Sequence, residues 1–322
     1  MNTDLLHSRP HSGADAAPRA RLPVRFRRYL IERFSLFSIV PACVIQYMFI
    51  AHYAGSPLRL SEWSHWLAEG SWPSAPPWAR LEAATWLAGF ATYLGVFLLL
   101  RLLDDLKDKR HDDLFYAERP VQRGLVTLGE LSAIAVVLVI ALTLANLLFS
   151  TLAGVWFFFA TLGYVALMRV EFFAPAFVRP RLLLYLALHE VFVPLLVAYV
   201  IYHQGGTLGG ARDLLFLVLS LLMVMAVEVA RKIRPSTLDR TGRDTYSAYL
   251  GRRGALAFLG LILTGAQILF STVAGTSVWL GLLLLAPLAA SLYYYRSDSS
   301  RSAKLILGAT VLFLTGNMLA AL

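Results

Sequence analysis

Only one cysteine, Cys43, occurs in the 322 residues. That count excludes an internal disulfide framework and a paired-cysteine metal site. Cys43 sits in an apolar run and reads as a small buried hydrophobe. Charge is scarce too. Asp, Glu, Lys and Arg make up 15% of the chain, against roughly 25% in ordinary soluble domains. Hydrophobic residues make up 58%, with a mean hydropathy of +0.63. A water-facing fold could not hide so much apolar surface, so lipid must serve as its solvent. Acids are the scarcer sign, 20 against 29 Lys plus Arg, for a net charge of +9. In a soluble chain that excess would point to nucleic acid. Here the basic residues alternate with apolar runs instead of forming one stripe, so the expected partner is the bilayer and not nucleic acid. The N-terminal segment does not read as a secretory signal. Residues 1–28 scatter six arginines among three prolines, with no small-residue cleavage site after a short apolar core. They are expected to be a disordered basic tail, leaving 29–322 as one transmembrane domain.

What is present is long apolar runs. A spanning helix takes about 20 apolar residues. Nine stretches qualify: 34–53, 82–101, 129–150, 151–169, 182–203, 213–231, 255–275, 277–295 and 304–322. The expected fold is therefore all-α, a polytopic bundle of nine helices. The third and fourth runs abut, which requires a tight turn near Ser150–Gly154. With the N-terminus in the cytoplasm, 26 of the 29 basic residues fall on the cytoplasmic side; only Arg59, Arg80 and Arg212 fall outside. That asymmetry fits the positive-inside rule. The expected location is a multi-pass bacterial inner membrane with the polar loops in the cytoplasm.

Two of those loops carry most of the remaining polar chemistry. The first follows the second span. Asp104, Asp108 and Asp112 recur every fourth residue, and Asp105 and Asp113 bring the total to five aspartates within ten residues. On a continuing helix, positions i and i+4 share a face. Three carboxylates on one stripe repel each other unless a cation joins them, and Mg²⁺ is commonly held by one or two carboxylates plus substrate phosphates. The metal candidates here are Asp104, Asp105, Asp108 and Asp112. A solvated helix end, with Lys107, Lys109 and Arg110 pairing the acids, is the plainer alternative. Arg119 and Arg123 suit a phosphate because the guanidinium fork matches its oxygens, and Lys107 is a further candidate. Pro120 and Gly124 suit a turn.

The second loop follows the sixth span. Glu228 lies near the end of an apolar run, where an acid is costly unless it faces protein, water or an ion. Glu228, Arg231 and Lys232 share a helical face. Either they form a local ion-pair cap or they belong to a metal-and-phosphate site opposite the first loop. Asp239 and Asp244 are further binding candidates, or simply loop solvation. Within the spans, His189 and Glu190, with Glu171 nearby, are buried ionisable groups and so functional candidates. His189 could orient or deprotonate an acceptor.

At these residues the chain resembles the UbiA family of membrane prenyltransferases. That family carries an Asn/Asp-xxx-Asp-xxx-Asp motif after its second helix and an Arg-Pro-xx-x-Gly stretch beyond it. Asp104, Asp108 and Asp112 match the first, and Arg119, Pro120 and Gly124 the second. The resemblance extends over essentially all of the chain after residue 30 and includes the nine spans. It departs at the family's second acidic motif, Asp-xxx-Asp, where Glu228 takes the first position and Lys232 the second. Thr245 to Gly251 resembles a later element, displaced by a longer loop. An ammonium cannot ligate a metal but can contact diphosphate, so the number of metal ions is open, unless Asp239 or Asp244 supplies a carboxylate.

The resemblance implies a Mg²⁺-dependent enzyme. It would ionise an isoprenyl diphosphate, with Asp104, Asp108, Asp112, Glu228 and Lys232 as catalytic groups, and pass the prenyl cation to an acceptor, usually aromatic. Phe157, Phe158, Tyr164, Tyr185 and Phe192 could shield the cation. Asp104-Asp105-Leu-Lys-Asp108 also reads as Asp-Asp-x-x-Asp, the pattern of ionising terpene cyclases, which need no acceptor. A transporter or lipid-binding scaffold fits less well, because the acids cluster at one face and the mid-span positions are almost wholly apolar.

Overall fold

The computed structural model of the protein describes residues 21–34, 36–56, 77–238 and 245–322. Among them every regular element is helical. A short helix, α1 (Leu22–Arg33), precedes α2 (Leu36–Tyr53). Then come α3 (Pro77–Lys107), α4 (Lys109–Phe115), α5 (Leu128–Phe149), α6 (Leu152–Arg169), α7 (Pro175–Val178), α8 (Leu182–Glu190), α9 (Phe192–His203), α10 (Ala211–Arg231), α11 (Tyr246–Val273), α12 (Leu285–Ser297) and α13 (Ser300–Ala321). Eight helical segments are long and apolar enough to cross a membrane, and Ile39–Tyr53 of α2 is a shorter apolar helix beside them. This is the expected polytopic bundle.

Four antiparallel pairs build it: α3 with α5, α6 with α9, α10 with α11, and α12 with α13. α2 closes the ring by touching α3, α9 and α13. The interior is apolar and so is the outside, as a lipid-solvated bundle requires. Along α5, Val136, Val137, Ile140, Leu144, Leu147 and Leu148 are all exposed, whereas Leu131, Ala135 and Leu142 are buried. Few polar groups cross the interior. Asn146 donates from α5 to Thr92 Oγ1 of α3 at 2.9 Å. His203 Nε2 lies 2.8 Å from the Thr85 carbonyl.

Local chemistry sets the joints. The turn expected between the third and fourth spans falls at Ser150–Thr151, where the Thr151 hydroxyl caps α6 at Gly154 N, 3.0 Å away. The fifth span breaks into α8 and α9 at Val191. Pro194, in the first turn of α9, has no N–H to offer the Glu190 carbonyl one turn back. α3 ends at Lys107, yet Asp108 N still donates to Asp104 O at 2.8 Å and Asp112 N to Asp108 O at 2.9 Å. The helical register therefore survives the break into α4.

One expectation is corrected here. Residues 22–28, assigned to a disordered tail, belong to α1; the tail expectation for 1–20 lies outside the described residues. The inner face of α1 is tied down. Arg25 pairs with Glu130 at 2.5 Å and donates to the Leu125 carbonyl at 3.0 Å, and the buried Tyr29 donates to Asp105 at 2.8 Å.

Candidate active site

The end of α3, α4, the loop beyond it, α8 and the end of α10 enclose a cavity of about 700 Å³. Asp104, Asp108 and Asp112 line it from one side, and Glu228, Arg231 and Lys232 from the other. The two sequence loops thus meet in one chamber. Asp104 and Asp108 are half-buried there, and neither carboxylate makes a hydrogen bond or ion pair among the described residues. Burial pushes the Asp108 carboxyl up from its usual range; the Lys107 charge opposes that shift and the Asp112 charge adds to it. Asp112 is buried and ion-paired to Arg119, whose guanidinium stacks 3.8 Å from the centre of the Tyr116 ring. The turn that aims Arg119 closes at Gly124, where φ is +71°, a conformation that suits glycine.

On the opposite wall, Glu228 is engaged at both oxygens. Arg231 reaches Oε2 at 2.5 Å and Lys232 reaches Oε1 at 2.9 Å. The plainer reading of this face, a local ion-pair cap, is therefore what the structure shows, but the cap fronts the cavity. It presents cations, not a vacant carboxylate. Tyr185 stacks on His189 with ring centres 3.7 Å apart, and Lys232 Nζ lies 5.9 Å from the Tyr185 ring. His189 Nδ1 is 3.0 Å from the Tyr185 carbonyl, and Nε2 is 3.4 Å from Glu171. Glu171 is also held by Lys107 at 3.0 Å and Arg179 at 3.3 Å.

Several candidates lie elsewhere. Asp105 points away from the cavity. It is 3% exposed and is enclosed by Tyr29, Arg33 and Arg101, so its carboxylate has no lone pair left for a metal ion. Arg123 pairs with Glu32 at 2.5 Å, outside the cavity. Lys107 turns to Glu171. Tyr164 donates to the Leu188 carbonyl at 2.7 Å and joins α6 to α8. Phe157 stacks on Tyr202, and Phe158 is buried beside Tyr199, so of the five aromatics only Tyr185 and Phe192 line the chamber. Asp239 and Asp244 lie outside the described residues. Sequence reading missed Arg101, Arg179 and Arg234, which add cations to the lining. They had counted only as orientation charges, and no spacing singled them out.

Among the described residues no three acid, histidine or cysteine side chains converge closely enough to hold a metal ion alone. The donor set that remains, Asp104 and Asp108 facing a cavity rich in cations, fits Mg²⁺ bound jointly by protein and phosphate oxygens.

No protein-family model and no curated protein matches this sequence. Solved structures do match. A UbiA homologue from Aeropyrum pernix K1 superposes with a TM-score of 0.60 at 17% identity, covering 87% of this chain and 98% of the other. A digeranylgeranylglyceryl phosphate synthase superposes with a TM-score of 0.53 at 14% identity, covering 92% and 99%. At this identity the likeness is one of architecture, and it runs nearly end to end in both molecules. The chain has the fold of UbiA homologues.

Proposed function

We propose that this protein is a Mg²⁺-dependent membrane prenyltransferase that ionises an isoprenyl diphosphate and passes the prenyl group to an aromatic acceptor. The observation that carries this reading is the convergence of Asp104 and Asp108, both without partners, with Arg231 and Lys232 on one chamber at the loop end of an apolar bundle. Asp104 and Asp108 would hold Mg²⁺ together with diphosphate oxygens, and the ion would neutralise charge building on the leaving group. Arg119, Arg231 and Lys232 orient the diphosphate and share that charge, acting most strongly where water is excluded. Glu228 keeps Arg231 and Lys232 in place. As the C–O bond breaks, the allylic cation faces Tyr185 and Phe192, whose ring faces attract positive charge. The compound that one neighbour is named for making, digeranylgeranylglyceryl phosphate, belongs to that protein and does not assign this chain's acceptor.

Cyclisation without an acceptor is the second reading, and one observation bears on it. Asp105 is turned away from the chamber, so the Asp-Asp-x-x-Asp pattern loses a carboxylate, while all three acids of the every-fourth pattern line the cavity, Asp112 through its pair with Arg119. One experiment separates these readings. Purified protein is incubated with geranyl, farnesyl and geranylgeranyl diphosphates and Mg²⁺, with and without a panel of aromatic acids. Prenylated aromatic product is expected. A cyclic hydrocarbon or alcohol formed without acceptor would establish the cyclase, and no Mg²⁺-dependent diphosphate release from any donor would refute both.

A further inference from the structure

A second cavity of about 270 Å³ opens beside the first, between the end of α10 and the first two turns of α13. Its wall has two characters. Arg231, Arg234 and Lys304 contribute cations and, among the described residues, no acid lines it, while Ile233, Ala303 and Leu307 contribute apolar surface. Asp298, which precedes α13, is already held by Ser236 and Arg252. The Arg234 and Lys304 side chains are exposed and make no hydrogen bond or ion pair among the described residues. On α13 the lining residues fall at 300, 303, 304 and 307, one helical stripe. Lys304 therefore sits toward the loop end and Leu307 one turn deeper into the span.

Cations at the loop level above an apolar wall form the complement of an amphiphile with an anionic head. We propose that this groove binds an anionic membrane phospholipid, its headgroup phosphate between Arg234 and Lys304 and the start of its acyl chain against Leu307. An unpaired cation near an anionic lipid surface strengthens binding about fivefold, and two cations converging on one head add specificity for net negative charge. The groove shares Arg231 and Arg234 with the larger cavity, so the lipid head would lie directly beside the diphosphate chamber.

The full chain is purified and titrated with dioleoylphosphatidylglycerol and dioleoylphosphatidylcholine, and bound lipid is counted by native mass spectrometry. The anionic lipid is expected to bind more tightly. Lys304→Gln should weaken it about fivefold and narrow its advantage over the zwitterionic lipid. Leu307→Trp should reduce binding of the anionic lipid by filling the groove without changing charge. Lys304 is exposed, so its variant keeps the test decisive even if Leu307→Trp fails to fold. Equal binding of the two lipids, or an anionic preference unchanged by Lys304→Gln, would overturn the proposal. Displacement of the lipid by millimolar inorganic phosphate would overturn it too, by showing a free-phosphate site in which the acyl chain plays no part.

Discussion

Neighbouring residues on one turn of α3 have opposite surroundings. Asp104 faces the chamber without a partner, while Asp105 is locked to α1 by Tyr29 and Arg33 and to its own helix by Arg101. Their substitutions should therefore separate. Asp108→Ala is expected to abolish turnover, by at least about 100-fold if it removes a group that stabilises the leaving diphosphate, while yield and thermal stability stay close to wild type. Asp105→Ala should do the reverse first. It leaves the half-buried Arg33 and Arg101 and the buried Tyr29 hydroxyl without their acceptor, a loss of about 1–3 kcal/mol, so a clear fall in the unfolding temperature is expected by fluorescence-monitored melting. Comparable melting of the two variants would contradict the division. The stripe itself was legible in the sequence, because a repeat of four needs only a helix to become a face. The fate of Asp105 was not legible, because it depends on α1, a segment whose alternating arginines and apolar residues read as an unstructured tail. The paired state of Glu228 was legible only as one of two alternatives, since i, i+3 and i+4 spacing serves a cap and a ligand set equally.

At the scale of the element, most spans were readable to within a few residues because twenty apolar positions in a row have few other uses, although α3 runs on to Lys107 and α11 begins at Tyr246, well before the expected 255. The breaks were harder to read. Pro194 was visible, yet its effect is to divide the fifth span at Val191 just where His189 and Glu190 turn into the chamber. Helix contact is equally specific. Gly89 on α3 leaves room for the Tyr47 hydroxyl, which a Cβ there would meet at 2.0 Å, and for the His203 ring at 2.5 Å. Tyr47 has little freedom to yield, being packed against Trp86, Phe90 and Tyr93 and bonded to Gln204 at 2.7 Å. Gly89→Ala should therefore destabilise the bundle by about 1–3 kcal/mol, read as a lower unfolding temperature in detergent. An unchanged melt would contradict the tight joining of α2, α3 and α9 at Gly89.

Across the whole molecule, the arrangement is a ring of helices with apolar surface inside and out and its chemistry gathered at one end. The basic residues predict that this end faces the cytoplasm. Leu114 is 79% exposed on α4, and the lone cysteine, Cys43, is buried. Leu114→Cys should consequently react with a membrane-impermeant maleimide in inverted vesicles and not in intact spheroplasts; labelling from the outside would reverse the topology. The central claim is that acids from one loop and cations from the other hold a single diphosphate. Calorimetric titration of inorganic diphosphate into the purified protein with Mg²⁺ tests it most directly. The expected result is binding that disappears on chelation and that weakens at least about tenfold, the loss of one charge-assisted contact, in Asp108→Asn and in Lys232→Gln alike. Binding that survives chelation, or that responds to only one of the two substitutions, would contradict it.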